Sequence, residues 1–144
     1  MQAEKTALRL IARAEQNSNG LRRKLEKRGY ESACITEVIN RLIENNLIND
    51  FRFACLWLES RLRLTRSPRQ LLFSLRSRGI EQDDAQNALK KVLDDEIEFS
   101  LLERFVIKAA RKKNSQIDDK RLLKSLLKNE GFSFEVIRRF LNEE

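Results

Sequence analysis

Apolar residues recur along this chain at the spacing of an amphipathic helix. Residues 35–43 carry apolar side chains at i, i+3, i+4, i+7 and i+8, which places them on one helical face. A Leu-x-x-x-Leu pair, Leu21 and Leu25, comes before this segment and is followed by Gly29. Glycine readily adopts the left-handed conformation that ends a helix. The pattern predicts a short helix, a tight glycine corner and a longer apolar-striped helix.

The same element returns twice further along the chain. A shift of 50 positions, and then of a further 52, carries it onto a second and a third copy. Three of the four glycines hold this one place, and an apolar residue that can pack back on the helix follows each of them. The copies are Leu21, Leu25, Gly29 and Tyr30; Leu71, Leu75, Gly79 and Ile80; and Leu123, Leu127, Gly131 and Phe132.

A further helical segment precedes each copy, at residues 4–16, 50–65 and 97–113. The sequence therefore predicts an all-α fold of three tandem three-helix repeats, about nine helices, in an elongated, curved array. The helix at 50–65 is apolar on more than one side, so we expect it to lie centrally, packed against the first and the second repeat. The predicted repeats occupy residues 1–49, 50–95 and 96–144.

Polar residues at the predicted helix starts support these limits. Ser18, Asn49-Asp50 and Ser67-Pro68 stand where helix N-caps are expected, with the proline at a first helical position. Asp94-Asp95-Glu96 marks the boundary before the third repeat, and Asn114-Ser115 a loop inside it.

Composition removes most catalytic chemistry. The chain has no histidine and only two cysteines, so a four-ligand zinc site, a Ser-His or Cys-His nucleophile and a disulfide-rich scaffold all lack parts. We therefore expect no enzymatic activity, no cofactor and no metal. Cys34, Cys55, Trp57 and the eight phenylalanines are predicted to be core residues, with stacking on a nucleic-acid base as the alternative for an aromatic ring. The acidic pairs Asp83-Asp84 and Asp94-Asp95 are predicted to lie at helix ends.

The chain has no apolar run of the ~20 residues that span a bilayer and no signal-peptide pattern at its start. These features predict a cytosolic protein without a membrane partner. No long heptad seam suggests a coiled-coil dimer, so we expect a monomer.

Positive charge is concentrated at equivalent places in the three repeats. The chain has 29 Lys and Arg against 22 Asp and Glu, a net charge of +7, which favours an anionic partner. The short helix of each repeat and the end of the helix before it carry most of the basic residues. Solvation of helix faces is the plain alternative for any single cluster. The residues that we predict to form a continuous basic track are Arg22, Arg23, Lys24, Arg61, Arg63, Arg66, Arg69, Arg76, Arg78, Lys108, Arg111, Lys112 and Lys113.

Three segments resemble the RecX family of recombination regulators. Residues 20–30, GLRRKLEKRGY, followed by residues 46–54, NLINDFRFA, are similar to the family's E-L-R-x-K-L-x-x-K-G-[YF] and G-Y-L-[DN]-D-x-R-[FY]-A elements. Residues 67–80, SPRQLLFSLRSRGI, are similar to its G-P-x-R-[IL]-x-x-E-L-x-x-[KR]-G-[IV] element. The resemblance covers nearly the whole chain and is strongest from about residue 7 to residue 80.

The resemblance implies a bacterial cytosolic protein that acts in DNA recombination, DNA repair and the SOS response. Its implied partner is the RecA recombinase filament on single-stranded DNA, and the implied effect is inhibition of strand exchange and ATP hydrolysis, by groove occupation or blocked extension. Whether single-stranded DNA is contacted directly stays open. Two alternatives remain: a sequence-independent nucleic-acid-binding module without a recombinase target, and an adaptor for an acidic protein.

Overall fold

The computed structural model describes residues 2–113 and 119–143, apart from the side chain of Lys113, and these residues form nine helices and no strand. The predicted all-α fold is confirmed. The predicted loop at Asn114-Ser115 lies outside the described residues. The helices are α1 (Gln2–Arg13), α2 (Ser18–Lys27), α3 (Ser32–Glu44), α4 (Asp50–Arg61), α5 (Pro68–Ser77), α6 (Gln82–Val92), α7 (Asp95–Lys113), α8 (Lys120–Asn129) and α9 (Phe134–Leu141).

The three predicted glycine corners are present. Gly29, Gly79 and Gly131 have φ angles of 86°, 87° and 88°. In the second corner Gly79 N–H donates to the Arg76 carbonyl at 2.9 Å and Ile80 N–H donates to the Leu75 carbonyl at 3.1 Å. The other two corners repeat this pair of bonds, which defines a Schellman motif. Each repeat therefore turns from its short helix to its last helix in the same way.

Side chains cap the helices near the predicted places, with one shift of a residue. Ser67 caps α5 in a reciprocal capping box with Gln70, and the Asn49 side chain accepts the Arg52 N–H at 3.0 Å. The cap of α2 is Asn17 rather than Ser18. Ser18 instead faces Asp50, to which its N–H and its hydroxyl donate at 2.8 and 2.6 Å.

The buried residues form two separate cores. One belongs to the first repeat and includes Leu21, Leu25 and Ile35. The other runs through the second and third repeats without interruption, from Ala54 to Leu141. The second and third repeats thus share apolar faces, whereas the first buries its apolar residues within itself. The predicted repeat boundaries at 1–49, 50–95 and 96–144 stay predictions.

Polar contacts link the first repeat to the second. Besides the bonds between Ser18 and Asp50, Arg52 pairs with Glu15 at 2.7 Å. The buried residues of α4, among them Ala54 and Leu58, all belong to the core of the second and third repeats. α4 therefore lies between the two repeats: its buried residues pack on the second and third, whereas Asp50 and Arg52 bond to the first and Phe51 lines a pocket with Ile43 and Ile48.

One joint between repeats occurs twice. At the second corner, the Asn19 side-chain amide at the start of α2 donates to the Arg78 carbonyl at 3.4 Å. At the third corner, the Arg69 N–H at the start of α5 donates to the Glu130 carbonyl at 2.9 Å. Each corner therefore docks on the N-terminal end of the preceding repeat's short helix. The first corner has no such neighbour, since nothing lies within 4 Å of a Cβ built on Gly29.

Candidate functional site

Five residues of the predicted basic track bond within the chain, and all of them except Lys108 do so within or between the helix ends and corners. Arg22 donates to the Thr36 hydroxyl at 3.2 Å, and Lys24 donates to the Gln16 side-chain oxygen at 2.8 Å. Arg69 pairs with Glu130 at 3.1 Å, and Arg76 donates to the Ile80 carbonyl at 2.9 Å. These contacts tie helix ends and corners together, so part of the positive charge has a structural role. The contacting residues are Thr36, Gln16, Glu130 and Ile80.

Three other arginines of the track meet in one pocket between the end of α4, the loop at residues 62–66 and α5. The pocket has a volume of about 470 Å³. Leu64 and Leu71 supply its apolar walls. We call it the Trp57 pocket, and its polar and aromatic lining consists of Trp57, Arg61, Arg66, Ser74, Ser77 and Arg78.

Trp57 orders two of these arginines. The Arg61 and Arg78 guanidinium carbons lie 5.2 and 5.3 Å from the centre of its ring, within the range of cation–π attraction. Trp57 and Arg61 are four residues apart on α4, whereas Arg78 comes from the end of α5. The indole Nε1 is buried and has no hydrogen-bond partner among the described residues. Trp57 therefore packs against the core, as predicted, and in addition contacts two arginines of the pocket.

The arginines of the Trp57 pocket keep their hydrogen-bonding capacity. In the part of the chain that the structure describes, the Arg61, Arg66 and Arg78 guanidinium groups form no ion pair and no hydrogen bond. No acidic residue lines the pocket. Each guanidinium carries five N–H donors in a planar arrangement. The pocket is therefore a concentration of unpaired donors and uncompensated positive charge.

Basic residues of the third repeat reach the same loop. Arg104 donates to the Leu62 carbonyl at 3.0 Å, and Lys108 donates to the Thr65 carbonyl at 3.4 Å. Arg104 was not a predicted site residue, because a single arginine in an apolar helix gives no sequence signal. Thr65 lies between two residues that line the Trp57 pocket, so Lys108 stands at its edge. Arg111 and Lys112 follow Lys108 at the i+3 and i+4 spacing of one helical face and are exposed.

Asn19 connects the first repeat to this region. It contacts the corner at Arg78 and Gly79, and Arg23 lies four residues after it on the same face of α2. Arg23 and Arg63 are exposed. The side chain of Lys113 lies outside the described residues. The unpaired members of the predicted track are therefore Arg23, Arg61, Arg63, Arg66, Arg78, Arg111 and Lys112, with Lys108 bonded only to a carbonyl.

Two phenylalanines are exposed, contrary to the prediction that all eight are core residues. Phe73 on α5 is 73% exposed and Phe134 at the start of α9 is 61% exposed. The Phe134 ring contacts Lys124 and Arg138. Phe73 lies one turn before Ser77, whose hydroxyl donates to the Phe73 carbonyl at 2.9 Å. Phe73 does not line the Trp57 pocket, but it lies one helical turn from Ser77, which does.

The remaining titratable groups give no catalytic arrangement among the described residues. Burial raises the pKa of the Cys55 thiol, in keeping with its predicted place in the core. Burial, and then repulsion from Asp50, raises the pKa of Asp84 at the start of α6. Asp94 caps α7 by accepting the Ile97 N–H at 2.9 Å, as predicted for a helix end.

Neither a metal-binding cluster nor a membrane-spanning helix occurs among the described residues. No group of three or more cysteine, aspartate or glutamate side chains is placed to hold a metal ion. No described helix is both long enough and apolar enough to cross a membrane.

Comparison with known families agrees with this architecture. Residues 3–42 match the first three-helix domain of RecX, and residues 49–89 match the second. The two matches together span more than half of the chain. The chain belongs to the RecX family. A regulatory protein RecX from Treponema pallidum (strain Nichols) is 33% identical over 144 residues, which cover 99% of this chain and 85% of that protein. One from Caldanaerobacter subterraneus is 29% identical over 141 residues, which cover 98% of this chain and 70% of that protein.

Solved RecX structures share the fold. The crystal structure of RecX from Lactobacillus salivarius superposes with a TM-score of 0.76 at 22% identity, over 98% of this chain and 93% of that one. A second crystal structure of regulatory protein RecX gives a TM-score of 0.77 at 20% identity, over 99% of this chain and 71% of that one. The relatives are named regulatory proteins, so membership in the RecX family supports a regulatory role.

Proposed function

We propose that this RecX-family protein binds the RecA recombinase filament on single-stranded DNA in the cytosol and inhibits strand exchange and ATP hydrolysis. It does so by occupying the filament groove or by blocking filament extension. Family membership supports the regulatory role. The observation that carries the proposal further is the group of unpaired arginines around Trp57, with Lys108 at its edge.

These cations suit a surface that combines protein and nucleic acid. The corner at Arg78 contacts α2 through Asn19, and the loop beside the pocket contacts α7 through Lys108. These contacts support a basic track that draws on all three repeats. Arginine binds phosphate and carboxylate groups through two parallel N–H bonds. A filament groove presents DNA phosphates between protein walls, and both anions are then within reach of the same surface.

The test is the RecA ATPase on single-stranded DNA, titrated with this protein from far below one copy per RecA. We expect the triple variant Arg61→Gln, Arg66→Gln and Arg78→Gln to need at least a roughly tenfold higher concentration for half-inhibition, because the loss of even one hydrogen bond to a charged group costs about 1.5–3 kcal/mol. The matched control is Lys5→Gln, Arg9→Gln and Arg13→Gln on α1. Both triple variants lower the net charge of +7 by three, to +4.

The outcomes separate the mechanisms. Equal loss of inhibition in both triple variants would show that only net charge matters and would remove the track from the proposal. No inhibition by the unmodified protein would overturn the RecA assignment itself. Inhibition at low stoichiometry favours blocked extension, whereas a requirement for one copy per RecA favours groove occupation.

The second candidate is a sequence-independent nucleic-acid-binding module without a recombinase target. The exposure of Phe73 beside the arginines favours it, since exposed aromatic rings stack on bases of single strands. Salt dependence distinguishes the two candidates. Binding through phosphates alone weakens steeply with salt, with a logarithmic slope of about −0.7 per phosphate for single strands, whereas binding to a filament retains a salt-resistant part.

A further inference from the structure

We infer that the Trp57 pocket holds a backbone phosphate of a single-stranded nucleic acid, and that Phe73 at its rim stacks on the adjoining base. The inference deepens the proposed function by assigning a site for direct contact with the strand. It also stands without RecA, because every argument for it comes from the pocket itself.

The polar lining of the pocket suits an oxyanion. Arg61, Arg66 and Arg78 provide unpaired N–H donors, and no acidic side chain is present to compete for them. The Ser74 hydroxyl adds a further donor on α5. A phosphate offers several acceptor oxygens around one centre and can accept from donors on three sides. A pocket of about 470 Å³ also leaves room for the sugar that carries the phosphate.

Trp57 acts as a positioning residue. Two guanidinium groups lie within cation–π distance of its half-buried ring, so the indole holds Arg61 and Arg78 at the pocket. Because arginine loses less freedom per bond when its guanidinium is already held, this arrangement favours anion binding. Because the Trp57 ring already contacts two guanidinium groups, we assign base stacking to another aromatic residue.

Phe73 is the aromatic residue that is free to stack. Its side chain is 73% exposed, which is unusual for phenylalanine, and it lies one helical turn before Ser77 of the pocket lining. The equivalent positions in the other repeats, 50 before and 52 after, are Arg23 and Ser125. The ring is therefore specific to this corner. A phosphate site beside an exposed ring matches the alternation of phosphate and base along a single strand, whereas an acidic peptide has no use for the ring.

Trp57 is the only tryptophan of the chain, so its fluorescence reports on the pocket directly. The full-length protein is titrated without RecA, at constant ionic strength, with inorganic phosphate, with oligothymidylate and with polyglutamate. We expect the first two to change Trp57 emission and oligothymidylate to bind more tightly than polyglutamate. Arg78→Gln should weaken both phosphate and oligothymidylate binding, whereas Arg121→Gln on α8, which makes the same charge change outside the pocket, should weaken neither by more than about twofold.

Phe73→Ala separates stacking from phosphate binding. It should weaken oligothymidylate binding about tenfold, since stacking on one base is worth about 1–3 kcal/mol, and leave the affinity for inorganic phosphate unchanged. Phe134→Ala removes another exposed phenylalanine and should change neither affinity.

Three results would overturn the inference: no response of Trp57 to a bound oligonucleotide, tighter binding of polyglutamate, or equal effects of Phe73→Ala and Phe134→Ala. A RecA ATPase that is inhibited normally despite such a result would leave the proposed function intact and remove only this site. If phosphate and oligothymidylate bind but RecA is unaffected, the site stands and the proposed function fails. Circular dichroism on each variant confirms that the helices remain.

Discussion

At the scale of single residues, Gly79 meets two constraints of which Gly29 shares only one. Both have a left-handed φ, 87° and 86°, where a residue with a Cβ is disfavoured by about 1–2 kcal/mol. At Gly79 the added Cβ would also overlap the Asn19 amide and lie 2.6 Å from the Asn19 Cβ. That atom is fixed to the backbone of α2, so a change of rotamer cannot relieve the contact. Gly79 therefore serves both the corner and the joint between repeats.

Gly29→Ala and Gly79→Ala test this difference. We expect Gly29→Ala to lower the free energy of unfolding by about 1–2 kcal/mol, through the backbone alone. Gly79→Ala should lower it further, because the first and second repeats must also move apart. Urea denaturation followed by circular dichroism measures both values. Adding Asn19→Gly should restore part of the loss in Gly79→Ala, and equal losses in the two single variants would contradict the steric argument.

The sequence predicts conformations that depend on one segment and misses contacts that join two. The left-handed glycines were predictable because the Leu-x-x-x-Leu-x-x-x-Gly element is local. The position of Arg61 over Trp57 follows from i,i+4 spacing on α4, but Arg78 reaches the same ring from α5. The sequence predicts Trp57 to be a core residue because it lies with Phe53 on a second apolar side of the helix. Only the packing of α5 beside α4 shows that it also organises a cationic pocket.

At the scale of helices, α1 and α4 both end earlier than the sequence predicts. At each of these ends a side chain from outside the helix donates to carbonyls of the last turn or just beyond it. The helix predicted at 4–16 ends at Arg13, where the Gln16 side chain donates to the Leu10 and Ala14 carbonyls, both at 3.3 Å. The helix predicted at 50–65 ends at Arg61, where Arg104 takes the Leu62 carbonyl. Apolar periodicity continues past both ends, so it could not indicate either stop. Helix starts were predicted more closely because their caps lie within the same few residues.

Ser67 both caps α5 and joins the second repeat to the third. It is fully buried, accepts the Gln70 N–H at 3.2 Å and donates to Glu130 of the third repeat at 2.6 Å. Ser67→Ala should lower the free energy of unfolding by about 1–2 kcal/mol, because it removes a cap and leaves a carboxylate without one of its donors. The matched control is Ser133→Ala, which removes the exposed cap of α9, whose bond to Val136 N–H is 3.4 Å long. Thermal unfolding of both variants gives the comparison, and an equal or larger loss in Ser133→Ala would contradict the assignment.

At the scale of the whole molecule, the two joints between the three similar repeats differ. The second and third repeats merge into one core, whereas polar pairs such as Ser18 with Asp50 and Arg52 with Glu15 join the first repeat to the second. The sequence predicts that the repeats exist, because periodicity is a local signal. Periodicity does not predict which adjacent repeats share a core. That depends on the few residues at each junction, such as the polar pairs between the first and second repeats. The separate cores imply that the first repeat opens independently.

Leu25 and Leu75 hold equivalent places in the first and second repeats, and both are completely buried. Replacing either by alanine removes similar packing, worth about 2–5 kcal/mol for a core leucine. We expect Leu25→Ala to speed amide hydrogen exchange in α1 to α3 only, because its core ends there. Leu75→Ala should speed exchange from α4 through α9, since those helices share one core. Exchange measured by mass spectrometry on peptides from each helix decides the matter, and faster exchange in α4 to α9 of Leu25→Ala would show that the polar junction couples the two cores as one cooperative unit.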